Sequence, residues 1–356
     1  MAERLKVALL FGGRSGEHEV SVRSAASVAE GLAGRHDVLP VLIDHDGGWW
    51  LQEGGRPRPE GGEPVFVAPS PRDRGRIRRM HDAGERALPD VYFPVLHGTF
   101  GEDGTIQGLL ELAGVAYVGS GVAASAAAMD KELMKAIFGA ASLPQAAYRV
   151  LRGRPEGHER ERELVEDLGL PLFVKPANMG SSVGVSKVRR TEELQGALDE
   201  AFSYDRKVVV EQGIDAREIE VAVLGNDRPE ASLPGEIVPD REFYDYDSKY
   251  SAESRTELRI PATLGEPLTS EIRALGVRVF QAVDASGYAR VDFLLERSTS
   301  RPLVNEINTI PGFTSISMFP KMWEATGLPY PDLLDRLLHL GLERHASRGR
   351  LRTRFR

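Results

Sequence analysis

The sequence predicts a mixed α/β and α+β protein built from more than one domain. Three observations carry that expectation. The first 120 or so residues alternate short apolar runs with helical spacing, three β-rich runs surround one helix between residues 172 and 211, and a long helix leads into a hairpin near residue 290. At 356 residues the chain is long enough for two or three domains. Its 41% hydrophobic and 28% charged content is that of an ordinary globular protein.

The first strand is Val7-Ala-Leu-Leu-Phe11, closed by Gly12-Gly13. Val20, Val22, Ala25, Ala26, Val28, Ala29 and Leu32 then recur at roughly helical spacing. Val38 to Ile43 and Val91 to Leu96 are further strands, and a helix follows from about Thr105 to Ala113. Alternating strand and helix implies a parallel sheet, so residues 1–120 read as a Rossmann-like unit. Residues 53–89 interrupt it. Their Gly, Pro and Arg content predicts an exposed insertion with little regular structure and a solvated arginine surface.

Leu172–Lys175, Gly184–Val188 and Lys207–Glu211, with a helix over Thr191–Phe202, predict a small α+β unit. Glu218–Leu224 is a strand, and residues 235–260 are polar and irregular. Leu268, Ile272, Leu275, Val279 and Val283 mark one face of a long helix. Tyr288–Leu295 and Pro302–Ile307 form the hairpin. Beyond Glu343 there are six arginines and no acid, which predicts a frayed tail.

Composition removes several function classes. With 45 basic against 53 acidic side chains the net charge is −8, which argues against a nucleic-acid partner. The chain has no cysteine, so thiolate chemistry and cysteine-ligated metals are excluded. The apolar run after the N-terminus is shorter than a secretory h-region, and no stretch approaches a membrane span, so a cytoplasmic protein is expected.

The hairpin carries the sharpest chemical signal. Strand alternation places Arg290, Asp292 and Leu294 on one face, and Glu306 with Asn308 on another. If the faces coincide, Asp292, Glu306 and Asn308 converge beside Arg290 as hard oxygen ligands suited to Mg²⁺. Taken alone, the pattern equally suits a solvated hairpin. Lys175-Pro-Ala-Asn-Met-Gly180-Ser181-Ser182-Val-Gly184 is a strand end followed by a Gly/Ser turn able to cradle phosphate oxygens. It is not a Walker A loop, because no Gly-Lys-Ser/Thr opens a helix. Gly119-Ser-Gly121-Val-Ala-Ala124 fits a dinucleotide fingerprint but lacks the ribose-binding acid downstream, so it reads as a closely packed turn. His97-Gly-Thr-Phe-Gly101-Glu-Asp-Gly104 follows the Val91 strand, at the end of the sheet where such folds bind ligands.

Together these segments resemble the D-alanine–D-alanine ligase family. The matches are His18-Glu19-Val20-Ser21, Leu96-His97-Gly98 with Gly101-Glu102-Asp103-Gly104, Met129-Asp130-Lys131, and Val174-Lys175-Pro176 with Gly180-Ser181-Ser182-Val183-Gly184. They continue with Phe243 to Tyr250, Ala289-Arg290-Val-Asp292, and Asn305-Glu306-Ile-Asn308-Thr309 with Pro311-Gly312 through Ser317. Each is weak alone, but their order along the chain is highly specific.

The resemblance implies an ATP-grasp fold with an N-terminal Rossmann-like domain (1–120), a central subdomain (121–212), a C-terminal subdomain (213–345) and a basic tail (346–356). It implies ATP-dependent joining of two D-alanines through a D-alanyl phosphate, for peptidoglycan precursors. By resemblance, Glu19 holds the first D-alanine's ammonium within a Glu19–Ser181–Tyr250 hydrogen-bonded set. Lys131, Lys175 and Lys249 take phosphates, Ser182 and Ile214 join the ATP site, and Glu211 with Glu218 takes adenine and ribose. Asp292, Glu306 and Asn308 hold two Mg²⁺ ions, with Mn²⁺ as a substitute. Arg290 and the Gly312 backbone stabilise oxyanion charge. His97, Ser317 and Met318 complete the substrate pocket, and residues 243–250 lie in a closing loop. A homodimer is implied as well.

Three departures from the family pattern stand out: Gln212 where lysine is frequent, Met318 where leucine is frequent, and the long 53–89 insertion. Competing readings are a ligase that uses D-lactate or D-serine as acceptor, a nicotinamide-dependent dehydrogenase built on Gly119–Ala124, and a non-catalytic nucleotide-binding regulator. The dehydrogenase reading leaves the Asp292/Glu306/Asn308 set without a task.

Overall fold

The computed structural model describes residues 4–154, 158–239, 256–314 and 316–352. The N-terminal part is a seven-stranded sheet made of β1 (Lys6–Gly12), β2 (Asp37–Ile43), β3 (Trp49–Leu51), β4 (Glu63–Val67), β5 (Ile77–Arg79), β6 (Glu85–Ala87) and β7 (Val91–Pro94), in the order β6-β5-β4-β3-β2-β1-β7. Helix α1 (His18–Leu32) follows β1, and α2 (Thr105–Ala113) follows β7. Strands β2, β1 and β7 are parallel, as the alternating pattern predicts, and their apolar runs are buried on both faces.

The insertion departs from expectation. Residues 63–87 form an antiparallel meander, β4 to β6, that extends the sheet from β3. Val65, Val67 and Ile77 alternate into a core beneath it. Gly and Pro made the segment look irregular because they crowd its turns. The apolar residues between those turns are few but correctly spaced.

The chain then forms α3 (Val122–Met129) and α4 (Lys131–Ala140), with Asp130 accepting from the Glu132 and Leu133 N–H groups as the α4 cap. A four-stranded antiparallel sheet follows, ordered β10-β9-β11-β8, from β8 (Tyr148–Leu151), β9 (Leu172–Pro176), β10 (Ser186–Val188) and β11 (Val208–Gln212). Helices α5 (His158–Leu168) and α6 (Leu194–Tyr204) pack against it.

The third sheet holds β12 (Ala216–Gly225), β13 (Glu230–Ala231), β14 (Gly235–Val238), β15 (Glu257–Arg259), β16 (Gly287–Glu296) and β17 (Pro302–Asn308). Its long helix α7 (Glu266–Ala282) buries Ile272, Leu275 and Val279, and the chain closes with α8 (Met318–Ala325) and α9 (Tyr330–Gly349). The ends of the segment expected to be irregular are paired as β14 and β15, while residues 240–255 lie outside the described residues.

The frayed tail is also corrected: α9 runs on to Gly349. Arg344 and Arg348 both pair with Glu111 on α2, which fastens the last helix to the N-terminal sheet. Gly119 packs its backbone against Gly287, so the fingerprint-like turn is a close-packed contact.

Candidate active site

In β16, Val291 and Phe293 enter the core while Arg290 and Asp292 face away from it. The register pairs Arg290 with Asn308 and Asp292 with Glu306, then steps so that Phe293 pairs with Val304. Asn305 is therefore an extra residue, and this bulge lets Val304 and Ile307 both face the core while Glu306 and Asn308 join the charged face. The two faces coincide because of the bulge, which strand alternation alone does not reveal.

Arg290 Nε and Nη2 each lie 2.6 Å from an Asp292 carboxylate oxygen, a bidentate pair. Burial opposes the charge on Arg290. Asp292 and Glu220 outweigh it and hold the guanidinium well above its usual value.

The Gly/Ser turn links β9 and β10. Ser181 and Ser182 take left-handed backbone with φ of 50° and 61°, and Gly184 takes 69°. A side chain at Gly184 would meet the Tyr204 ring at 2.6 Å, so only glycine fits there. Lys131 donates to the Met179 carbonyl at 2.7 Å and thereby ties the turn to α4. Burial lowers its pKa, and Glu306 works against that. Lys175 also feels Glu306, so Lys131 on α4 and Lys175 on β9 both stand near an acid of the third sheet.

Glu211 sits beneath the turn, fully buried. Lys135 lies 2.6 Å from one of its oxygens, and Lys175 bonds the other. Burial alone would raise the Glu211 pKa, but the two lysines bring it down to about 2. Its carboxylate is thus shared between the two lysines. Lys135 escaped the sequence reading, although it lies one turn after Lys131 on α4. Ile214 and Glu218 follow β11 and are half-buried at the same edge.

At the N-terminal sheet the structure corrects one residue. The Ser181 hydroxyl donates to Glu17, not to Glu19. Glu17 immediately precedes α1 and points across to the Gly/Ser turn, where Gly180 leaves room for it. The Glu19 side chain is 70% exposed, 3.7 Å from His45. The reason is helical periodicity. Ser21, Ser24, Ala25 and Val28 face inward, so Glu19 shares the outer face with Arg23, Ala26 and Glu30. Extending that period from the apolar positions would have separated the two acids.

His97 is buried between sheets. Its Nδ1 lies 3.0 Å from the Ile310 carbonyl, which can only accept, so Nδ1 carries the proton, and Nε2 lies 3.1 Å from Ser24 Oγ. Burial pushes Glu102 beside it up to about 7, with His97 only partly offsetting the shift. Ser317 Oγ accepts from the Thr314 N–H at 3.0 Å, and a side chain at Gly312 would approach that hydroxyl to 2.9 Å. Met318 opens α8 and is buried. Phe243, Lys249 and Tyr250 lie outside the described residues.

Asp292, Glu306 and Asn308 provide oxygen donors only, the hard set that suits Mg²⁺. Among the described residues no group of three His, Cys, Asp or Glu side chains is gathered to hold an ion, and both Asp292 oxygens are engaged by Arg290.

A mixed sheet with a parallel core, followed by two antiparallel sheets that bring lysines and acids together, defines an ATP-grasp enzyme. The comparisons sharpen this. The family model described as D-ala D-ala ligase N-terminus matches residues 6–120, and that of the C-terminus matches residues 137–339. A D-alanine–D-alanine ligase of Heliobacterium modesticaldum is 52% identical over 98% of this chain and 97% of its own. Among solved structures, the D-alanine-D-alanine ligase of Coxiella burnetii has a TM-score of 0.84 at 38% identity, covering 97% of both chains. The VanG D-Ala:D-Ser ligase of Enterococcus faecalis has the same TM-score at 33% identity, covering 95% of this chain and all of the other. The chain belongs to the D-alanine–D-alanine ligase family.

Proposed function

We infer that this chain is an ATP-dependent ligase joining two D-alanines into D-alanyl-D-alanine for peptidoglycan synthesis. The observation that carries the site reading is buried charge shared on two walls. On one wall of the cleft Lys135 and Lys175 share Glu211. On the other, Glu220 and Asp292 share Arg290, with Glu306 alongside. A triphosphate complements the first wall and a divalent cation the second.

In the reaction we propose, the first D-alanine's carboxylate oxygen attacks the γ-phosphorus of ATP and ADP leaves. The second D-alanine's amine then attacks the acyl carbon, loses its proton, and expels inorganic phosphate. Two anions must meet in the first step, and Lys131, Lys175 and Arg290 offset their repulsion. Asp292, Glu306 and Asn308 would hold two Mg²⁺ ions, which supply charge neutralisation at the phosphates. Glu17, rather than Glu19, takes the first substrate's ammonium, with its orientation fixed by Ser181. His97 holds the Ile310 carbonyl and so steadies the loop that leads to Gly312, whose backbone faces developing oxyanion charge. Ser317 and Met318 line the acceptor site. Tyr250 and Lys249 complete the site from the 243–250 loop, and Ser182, Ile214, Glu211 and Glu218 border the nucleotide.

We place the protein in the cytoplasm, where ATP is available, and expect a homodimer. No helix among the described residues is long and apolar enough to cross a membrane. The test is phosphate release from ATP with D-alanine, L-alanine, D-serine or D-lactate, with and without Mg²⁺, products being separated by chromatography. D-alanine with Mg²⁺ should support turnover and L-alanine should not. Rapid ATP hydrolysis without an amino acid, or a preference for D-serine or D-lactate, would count against this reading.

A further inference from the structure

Glu220 has no task in the reaction as described, and no sequence motif marks it. It lies on β12 directly opposite Asp292, which in turn lies opposite Glu306. Three carboxylates thus stand in a row across three strands, an arrangement that disfavours itself unless cations intervene. Glu220 is 5% exposed, and Arg290 Nε lies 3.2 Å from its Oε1. Arg290 is therefore held from two sides, by Asp292 on its own strand and by Glu220 on the neighbouring one.

The two anchors differ in what else they can do. Asp292 belongs to the oxygen-donor set, and both its carboxylate oxygens already accept from Arg290, so an ion bound there would share that carboxylate with the guanidinium. A guanidinium tied to Asp292 alone would compete with the ion for that carboxylate. It would be left buried and unpaired whenever the ion won. A second fixed acid removes the conflict.

We propose that Glu220 is a positioning residue that retains Arg290 in the cleft when Asp292 turns to a divalent cation. This rests on the metal-site reading above. Glu220 makes Asp292 easier to release, so it strengthens cation binding without touching the cation. It also keeps the guanidinium aimed at the reacting phosphate and acyl oxygens in the loaded state.

The experiment is Mn²⁺ binding to the full-length protein with ADP, followed by electron paramagnetic resonance, with ADP alone as the control. Four proteins form a cycle: the parent, Glu220→Gln, Arg290→Gln and the double variant. Glu220→Gln should weaken Mn²⁺ binding by about tenfold in the parent, as expected for losing one charge-assisted hydrogen bond. In the Arg290→Gln background the same change should alter binding less than about twofold, because the competitor it restrains is gone. Equal weakening in both backgrounds overturns the proposal, since Glu220 would then act on the ion directly. No weakening in the parent overturns it as well. Melting by circular dichroism checks folding. If Glu220→Gln does not fold, Glu220→Asp takes its place, keeping the charge but shortening its reach, and should weaken binding only where Arg290 is present. Asp292→Asn separates the two failures. If it binds Mn²⁺ as the parent does, the metal-site reading fails, and this proposal with it.

Discussion

Two regions of this chain carry dense charge and treat it in opposite ways. In the β4–β6 meander Arg76, Arg78 and Arg86 each meet an acid near the surface. Arg76 bonds Glu85 at 2.6 Å, Arg86 bonds Glu63 at 2.7 Å, and Arg78 forks Asp73. These pairs are partly exposed, so water screens them. In the cleft the charges are buried and shared between segments. Two lysines share Glu211, while two acids share Arg290 beside Glu306. Paired surface charge adds little to stability. Buried charge costs free energy even when it is shared, so it persists where a charged ligand is to be received.

The largest test of this contrast is Glu211→Gln, which leaves Lys135 and Lys175 buried without their shared counter-ion. Stability should fall by about 3–5 kcal/mol in urea unfolding at neutral pH. The pH dependence has a definite sign. The Glu211 pKa is lowered from 4.5 to about 2 in the folded state, so its contribution is present above 4.5 and lost as pH falls toward 2. The parent should therefore lose stability steeply over that window, and Glu211→Gln should lose less. Equal slopes would place Glu211 with the surface acids.

A smaller effect separates the two acids at the start of α1. Glu17→Gln removes the negative charge that receives the Ser181 hydroxyl and the substrate ammonium, and should lower kcat/KM for D-alanine tenfold or more, as expected for one charge-assisted hydrogen bond. Glu19→Gln changes an outward-facing side chain and should stay within about twofold. Steady-state kinetics on both variants decides it, and a reversed ranking would restore Glu19. The smallest effect belongs to the meander. Glu85→Gln breaks the Arg76 pair, yet should shift stability by at most about 0.5–1 kcal/mol, measured by the same urea unfolding. A larger loss would mean that the insertion depends on its ion pairs and not on Val65 and Ile77.

Much of the fold was legible in the sequence because it rests on local periodicity. The apolar runs at Val7 and Val91 gave parallel strands, and the Leu268–Val283 spacing gave α7. Lys131, Lys175, Ser181, Asp292, Glu306 and Asn308 were marked by residue type within ordered motifs. What local pattern could not supply was which side chains meet. The extra residue Asn305 decides that Glu306 and Asn308 share a face with Asp292, and a bulge leaves no compositional trace. The start of α1 decides that Glu17 and not Glu19 reaches Ser181, because one or two residues turn a helical side chain to the opposite side. Glu220 and Lys135 acquire their partners from other segments, through strand register and the Lys135–Glu211 pair that links α4 to β11. The sequence by itself determined the elements and the chemistry they carry. Only the tertiary structure decided how that chemistry is paired, because charge pairing depends on distances between segments far apart along the chain.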